Sequence, residues 1–175
     1  MIIMINGAFG VGKTTVANRL QKELDNSMIF DPEEVGFMLR NIIPDDIKKP
    51  QETTDNFQDL LCWKVLVVDV VRSLRTAYQK DLILPMTIYN LDYLHYILQG
   101  LRSFDNHTSH FCLTAAESII HQRLFARGEQ KGNWCFQQTE KCLRAFHDQA
   151  FGQFVDTNRK TIDDVVNIIL ETVKQ

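Results

Sequence analysis

The stretch "GAFGVGKT", Gly7 to Thr14, carries the spacing G-x-x-x-x-G-K-S/T, and its residue types suit the holding of a nucleoside triphosphate. Gly7, Gly10 and Gly12 allow a backbone that turns its N–H groups inward around phosphate oxygens. The helix expected next points its positive end at the same anion. In such a loop the backbone of Ala8, Phe9 and Val11 lines the phosphates, and Thr15 continues the cradle into the helix. Lys13 pairs with the β- and γ-phosphates, and Thr14 offers its hydroxyl to magnesium. A glycine-rich turn with a solvated lysine is the plainer alternative, but the full spacing lies directly between an apolar strand and a helical pattern. The sequence has no base-reading N-K-x-D, so the expected cofactors are ATP and Mg2+ rather than GTP.

Such chemistry also needs a carboxylate. The apolar run "DLILPMTIYN", Asp81 to Asn90, has the look of a central strand, yet it ends in Pro85-Met86-Thr87 without an acid. Asp81 opens the strand and, at 3.3 Å per residue, lies roughly 13 Å from the end where phosphates collect. Proline interrupts a central ladder, so regular pairing is expected to stop near Leu84. The residues beyond it read as a ligand-facing loop in which Thr87 and Asn90 give uncharged contacts to substrate. The acid is sought instead in "DPEEVGFMLR", where Asp31 follows the second strand. There it can accept the proton of an attacking hydroxyl and help hold magnesium. It is equally a helix N-cap, with Pro32 as first helical residue and Glu33 and Glu34 complementing the dipole. Both readings of Asp31 stand on the sequence.

Phosphoryl transfer needs further cations around the developing charge. Arg123 and Arg127 are four residues apart on one helix face, directly before "GEQKGN", residues 128–133, which reads as a flexible lid. Arg127 with Lys131 is expected to close over phosphate, and Arg123 to lie over adenine. Arg40, two turns beyond Glu33, is a candidate for holding the acceptor; a solvated helix face is its alternative. The aromatic and apolar residues around Trp63 read as helix core.

These residues need elements to position them. Short apolar runs alternate with longer helical patterns, the signature of parallel strands joined by crossover helices, hence an α/β fold in a single domain over 1–175. Strands are expected at Ile2 to Ile5, Ser27 to Phe30, Asp81 to Leu84, His110 to Thr114 and Phe154-Val155. The polar stretch 41–56, with two prolines, reads as a substrate-side excursion or mobile loop before a long helix from about Phe57 to Gln79.

Composition bounds the partners. A net charge of −3 over 175 residues gives no general attraction to nucleic acid, and the expected partner is a small-molecule substrate. Cys62, Cys112, Cys135 and Cys142 form no C-x-x-C pair and read as reduced thiols. Neither a basic leader nor an uninterrupted membrane-length apolar run is seen, so a cytoplasmic location is expected.

Taken together, "INGAFGVGKT", "DPEEVGFMLR", "ILPMTIYNLDYL" and "GNW" resemble the tunicamycin-resistance (TmrB-type) ATP-binding proteins of the P-loop small-molecule kinase group. The resemblance covers nearly the whole chain. It implies a five-stranded parallel sheet in the order 2-3-1-4-5, flanked by helices. It further implies that Asp31 acts as base or metal-linked carboxylate, that Arg123 and Arg127 cover ATP, and that Asp156 and Thr157 in "DTNRK" border adenine. The activity it implies is Mg-ATP-dependent phosphotransfer to a hydroxyl of a small molecule, such as a nucleoside antibiotic, with tunicamycin resistance as outcome. Its alternative is a non-reactive protein that sequesters the drug under ATP control.

Overall fold

The computed structural model describes residues 1–147 and 149–174. Strands β1 (Ile2–Gly7), β2 (Ser27–Ile29), β3 (Asp81–Pro85), β4 (Thr108–Thr114) and β5 (Gln153–Asp156) form one parallel sheet in the order β2-β3-β1-β4-β5. That is the order the resemblance implied. All six residues of β1 are buried, because helices cover both faces of the sheet and leave no polar side to alternate with. The helices are α1 (Lys13–Glu23), α2 (Glu33–Ile42), α3 (Asp45–Lys48), α4 (Trp63–Tyr78), α5 (Leu91–Arg102), α6 (Glu117–Ala126), α7 (Trp134–Phe146) and α8 (Ile162–Val173).

Parallel pairing brings the carboxyl ends of the strands to one edge, where the loop after β1 and the segments after β2 and β3 emerge. One buried side chain ties this edge together. Asn6 donates from Nδ2 to the Ile88 carbonyl (2.8 Å), and its Oδ1 accepts from the amides of Gly7 (2.8 Å) and Ile88 (2.9 Å). The loop after β1 and the segment after β3 are thus held side by side.

Three expectations are corrected. Pairing in β3 does not stop at Leu84: Ile5 is in register with Pro85, and the Met86 amide donates to the Ile5 carbonyl at 3.0 Å. The amides of Asp81 and of Leu82 and Met86 show why, since the first points toward β2 and the other two toward β1. Alternation therefore turns the position of Pro85's missing N–H toward β2, whose pairing has already ended at Ile29 and Phe30. A proline here costs no hydrogen bond. Second, the helix expected from Phe57 is broken: Phe57–Asp59 is a 3-10 turn capped by Asn56, whose side chain accepts from the Gln58 amide, and α4 starts only at Trp63. Third, the stretch 41–56 is structured in part as α3, and Lys48 Nζ donates to the Arg40 carbonyl at 2.7 Å.

Trp63 is fully buried and donates from its ring nitrogen to the Pro32 carbonyl, as a core residue should. The four cysteines are free thiols. Among the described residues no helix is long and apolar enough to cross a membrane.

His110 on β4 is buried. Burial, reinforced by the charge of Arg102, lowers its pKa from 6.5 to about 4. The depressed value means that the unfolded chain binds this proton first. The neutral ring's contribution is complete above pH 6.5 and is lost as pH falls toward 4, about 2 kcal/mol of it by about pH 5. Melting curves between pH 7 and 5 should show a smaller acid shift for His110→Phe than for the wild type. An equal shift in both proteins would refute the assignment.

Candidate active site

The loop between β1 and α1 has the backbone that its glycines suggested. Gly10 (φ +80°) and Gly12 (φ +109°) occupy conformations that other residues rarely adopt, and a Cβ on Gly10 would press on Leu124 Cγ at 3.0 Å. Gly12 is the N-cap of α1 and no side chain caps the helix, so the first helical amides remain available to an anion. Lys13 Nζ donates to the carbonyls of Gly7 and Ala8, each at 3.0 Å. Burial lowers its pKa, and Arg127 pushes the same way against Cys142, Glu33 and Asp31. Thr14 and Thr15 are exposed on the first turn.

Above this loop lies a cavity of about 430 Å3, walled by residues 9–16 together with Asp31, Glu33, Arg123, Arg127, Thr157 and Lys160. Arg123 braces it: Nη1 donates to the Val11 carbonyl (3.0 Å) and Thr157 Oγ1 (3.1 Å), and Nη2 to the Thr157 carbonyl (3.2 Å). Arg127 is exposed at the rim, 3.9 Å from Glu129, with Lys131 exposed in the turn beyond. Apolar side chains of Ile162 and Val165 from α8 complete the wall. Asp156, expected beside adenine, does not line the cavity; its Oδ1 accepts from the Asn158 amide at 3.1 Å and so shapes the loop.

The two readings of Asp31 prove compatible. Its Oδ1 accepts from the Glu33 amide at 2.9 Å and its carbonyl from the Glu34 amide at 3.2 Å, which is capping geometry, while the same residue lines the cavity. Glu33 is the residue that sequence reasoning missed. It borders this cavity and a second, smaller one, and its pKa is raised by burial first and by Asp31 next, against Lys13. The available signal is its place two residues after Asp31 at a helix start, which the sequence reading gives to the helix dipole alone.

The second cavity, about 10 Å3, lies between α2, the Phe57–Asp59 turn, the segment after β3, and α7. Thr87, expected to contact substrate, borders it, a position that leaves that role a proposal, and its carbonyl accepts from Gln58 Nε2 at 2.7 Å. Asn90 does not; it caps α5 by accepting from the Asp92 and Tyr93 amides. Nor does Arg40, which pairs with Glu52 at 2.6 Å and lies over the Phe57 ring. Gly36 of α2 is what allows Phe57 this close, because a Cβ there would overlap its ring. Gly36→Ala should therefore displace Phe57 and the turn that carries Gln58, costing about 1–3 kcal/mol despite alanine's better helix propensity. Denaturant unfolding checks this; a variant as stable as the wild type would exclude the clash.

The donor set fits a triphosphate with a hard divalent cation: free helix-terminal amides, Lys13 and Lys160, the Thr14 hydroxyl and the Asp31 and Glu33 carboxylates. Among the described residues no group of three or more histidine, cysteine or acidic side chains could hold a metal by itself. Thr14 and Asp31 would be few ligands, which suits Mg2+, since it keeps waters and phosphate oxygens around it.

The family model AAA_18, described as AAA domain, matches residues 3–142. The structure of the Deinococcus radiodurans tunicamycin resistance protein is similar at a TM-score of 0.78 and 26% identity, over 99% of this chain and 95% of that one. A gluconokinase from Sinorhizobium meliloti gives 0.66 at 17% identity, covering 98% and 90%. A shikimate kinase from Acinetobacter baumannii, in complex with shikimate, gives 0.65 at 18% identity, covering 99% and 92%. No curated protein sequence matches. The fold is P-loop kinase-like.

Proposed function

The chain belongs to the AAA-domain family matched above, and on that premise we propose that it is a Mg-ATP-dependent phosphotransferase acting on a hydroxyl of a small molecule. One observation carries the proposal. The Glu33 carboxylate borders both the P-loop cavity, which Asp31 also lines, and the smaller second cavity, so a phosphoryl group and an acceptor would meet beside it.

When bound, Mg-ATP supplies the transferable phosphoryl group and the cation that offsets its charge. The chain's own residues do the rest. Lys13 and Arg127 balance the negative charge that spreads over the phosphoryl oxygens, and the amides of the loop hold them in place. Thr14 and Asp31 take the metal. Glu33, which borders both cavities, accepts the proton of the attacking hydroxyl. Residues 128–133 act as a lid that brings Arg127 over the site and excludes water.

Likeness to the tunicamycin resistance protein supports resistance as the setting and makes that nucleoside antibiotic the first acceptor to try. Incubation with Mg-ATP and a panel of hydroxylated acceptors should yield ADP together with a product heavier by one phosphate. No such product with any acceptor would reject phosphotransfer. One observation favours the second reading, ATP-controlled sequestration: β3 ends in Leu84-Pro85, is followed by Met86-Thr87, and brings no acid to the site. Stoichiometric drug binding without ATP consumption would then be seen.

A further inference from the structure

Two residues that line the small second cavity each carry a buried polar atom without a hydrogen-bond partner among the described residues. Thr87 is 4% exposed and Gln138 2% exposed, and both line the cavity. Thr87 Oγ1 and Gln138 Oε1 nevertheless have no hydrogen-bond partner among the described residues. They belong to separate walls, one following β3 and the other on α7. A buried polar atom without a partner destabilises a fold, and two in one cavity are accounted for when a ligand supplies the missing bonds.

Resting on the phosphotransfer reading, we infer that this cavity takes an uncharged, hydroxyl-bearing ring, a sugar or nucleoside, and excludes carboxylic acids and phosphate esters. Charge is the first reason. Glu33 is the one acidic residue lining the cavity, and no lysine, arginine or histidine among the described residues lines it. Arg40, the cation on the adjoining helix, is already paired with Glu52. An anionic acceptor would meet a carboxylate with no guanidinium fork to hold it.

The second reason is hydrogen-bond type. Gln138 Oε1 and the Glu33 carboxylate accept, while Thr87 Oγ1 does either, so neighbouring hydroxyls satisfy all three. Shape is the third. Phe9 and Trp134 meet edge to face at 5.2 Å and Phe57 stands on the same lining, giving flat apolar walls for a ring. About 10 Å3 holds roughly one water, so a ring requires the cavity to open, and Trp134, the first residue of α7 directly after the 128–133 turn, is the wall that would have to give way.

The test is calorimetry and ligand-observed NMR on the full chain with Mg2+ and a non-hydrolysable ATP analogue. The probes are glucose against glucuronate, and uridine against uridine 5′-monophosphate. At least one neutral probe should bind ten times more tightly than its charged counterpart. Thr87→Val and Gln138→Leu should each weaken that binding about tenfold while leaving the melting temperature unchanged or raised, because each removes a buried atom without a partner. The inference is overturned if a charged probe binds as well as its neutral counterpart, if no neutral probe binds at millimolar concentration, or if both variants bind like the wild type. Neutral binding with no phosphorylated product from any acceptor removes the phosphotransfer reading and leaves this one standing. Transfer to an anionic acceptor does the reverse.

Discussion

Glu33→Gln should lower single-turnover phosphoryl transfer on the order of 10²- to 10⁴-fold, the usual consequence of losing a general base, while ATP affinity stays close to that of the wild type. The expectation rests on position: Glu33 borders both cavities, whereas Asp31 borders only the larger one. Asp31→Asn should also slow transfer, but with a different signature. Its Mg2+ requirement should rise, because asparagine is a poorer metal ligand, and added Mg2+ should recover part of the rate. Stability should hardly change, since asparagine can still accept from the Glu33 amide as Asp31 Oδ1 does. Rates measured across a Mg2+ titration, with melting curves as control, separate the two roles. If Glu33→Gln transfers at full rate and Asp31→Asn does not respond to Mg2+, the proton goes to Asp31. If both transfer normally, neither carboxylate serves the chemistry.

Lys13→Met should reduce kcat/KM for ATP on the order of 10²- to 10³-fold, about 3–4 kcal/mol of transition-state stabilisation, as for loss of one well-placed donor to developing charge. The same change should leave the unliganded protein as stable as before, or more so. Lys13 is a desolvated cation whose pKa burial lowers, and it has only the Gly7 and Ala8 carbonyls as hydrogen-bond partners among the described residues. An unbranched apolar chain of similar length relieves that desolvation. Loss of activity with retained stability marks a residue kept for its ligand. Calorimetric ATP titration beside thermal unfolding measures both; a variant that binds and turns over ATP normally would remove Lys13 from the site.

How much of the site is legible in the sequence differs from residue to residue. The phosphate loop is legible because its chemistry is local: glycine conformations, a lysine and a threonine stand at fixed offsets along eight consecutive residues. The strands are legible because burial on both faces leaves continuous apolar runs. Arg40 misleads because its partner, Glu52, lies twelve residues away in a stretch without periodicity. Asn90 is ambiguous in sequence because a helix cap and a ligand contact use the same side chain. Pro85 misleads because its cost depends on which neighbour its missing N–H faces, and that is settled by where β2 ends.

By itself, then, the sequence determined the layered α/β fold, the phosphate loop and Asp31 at the second strand's end. Each depends on spacing within one segment, where backbone geometry converts residue order directly into position. Tertiary structure alone decided that Glu33 borders two cavities, and that Thr87 and Gln138, fifty-one residues apart in number, line one of them. It also decided that Arg123 joins the phosphate loop to Thr157. Those relations arise where separate elements meet at the carboxyl edge of the sheet, and hydrogen bonding and exclusion of water across that meeting have no counterpart in any single stretch of chain.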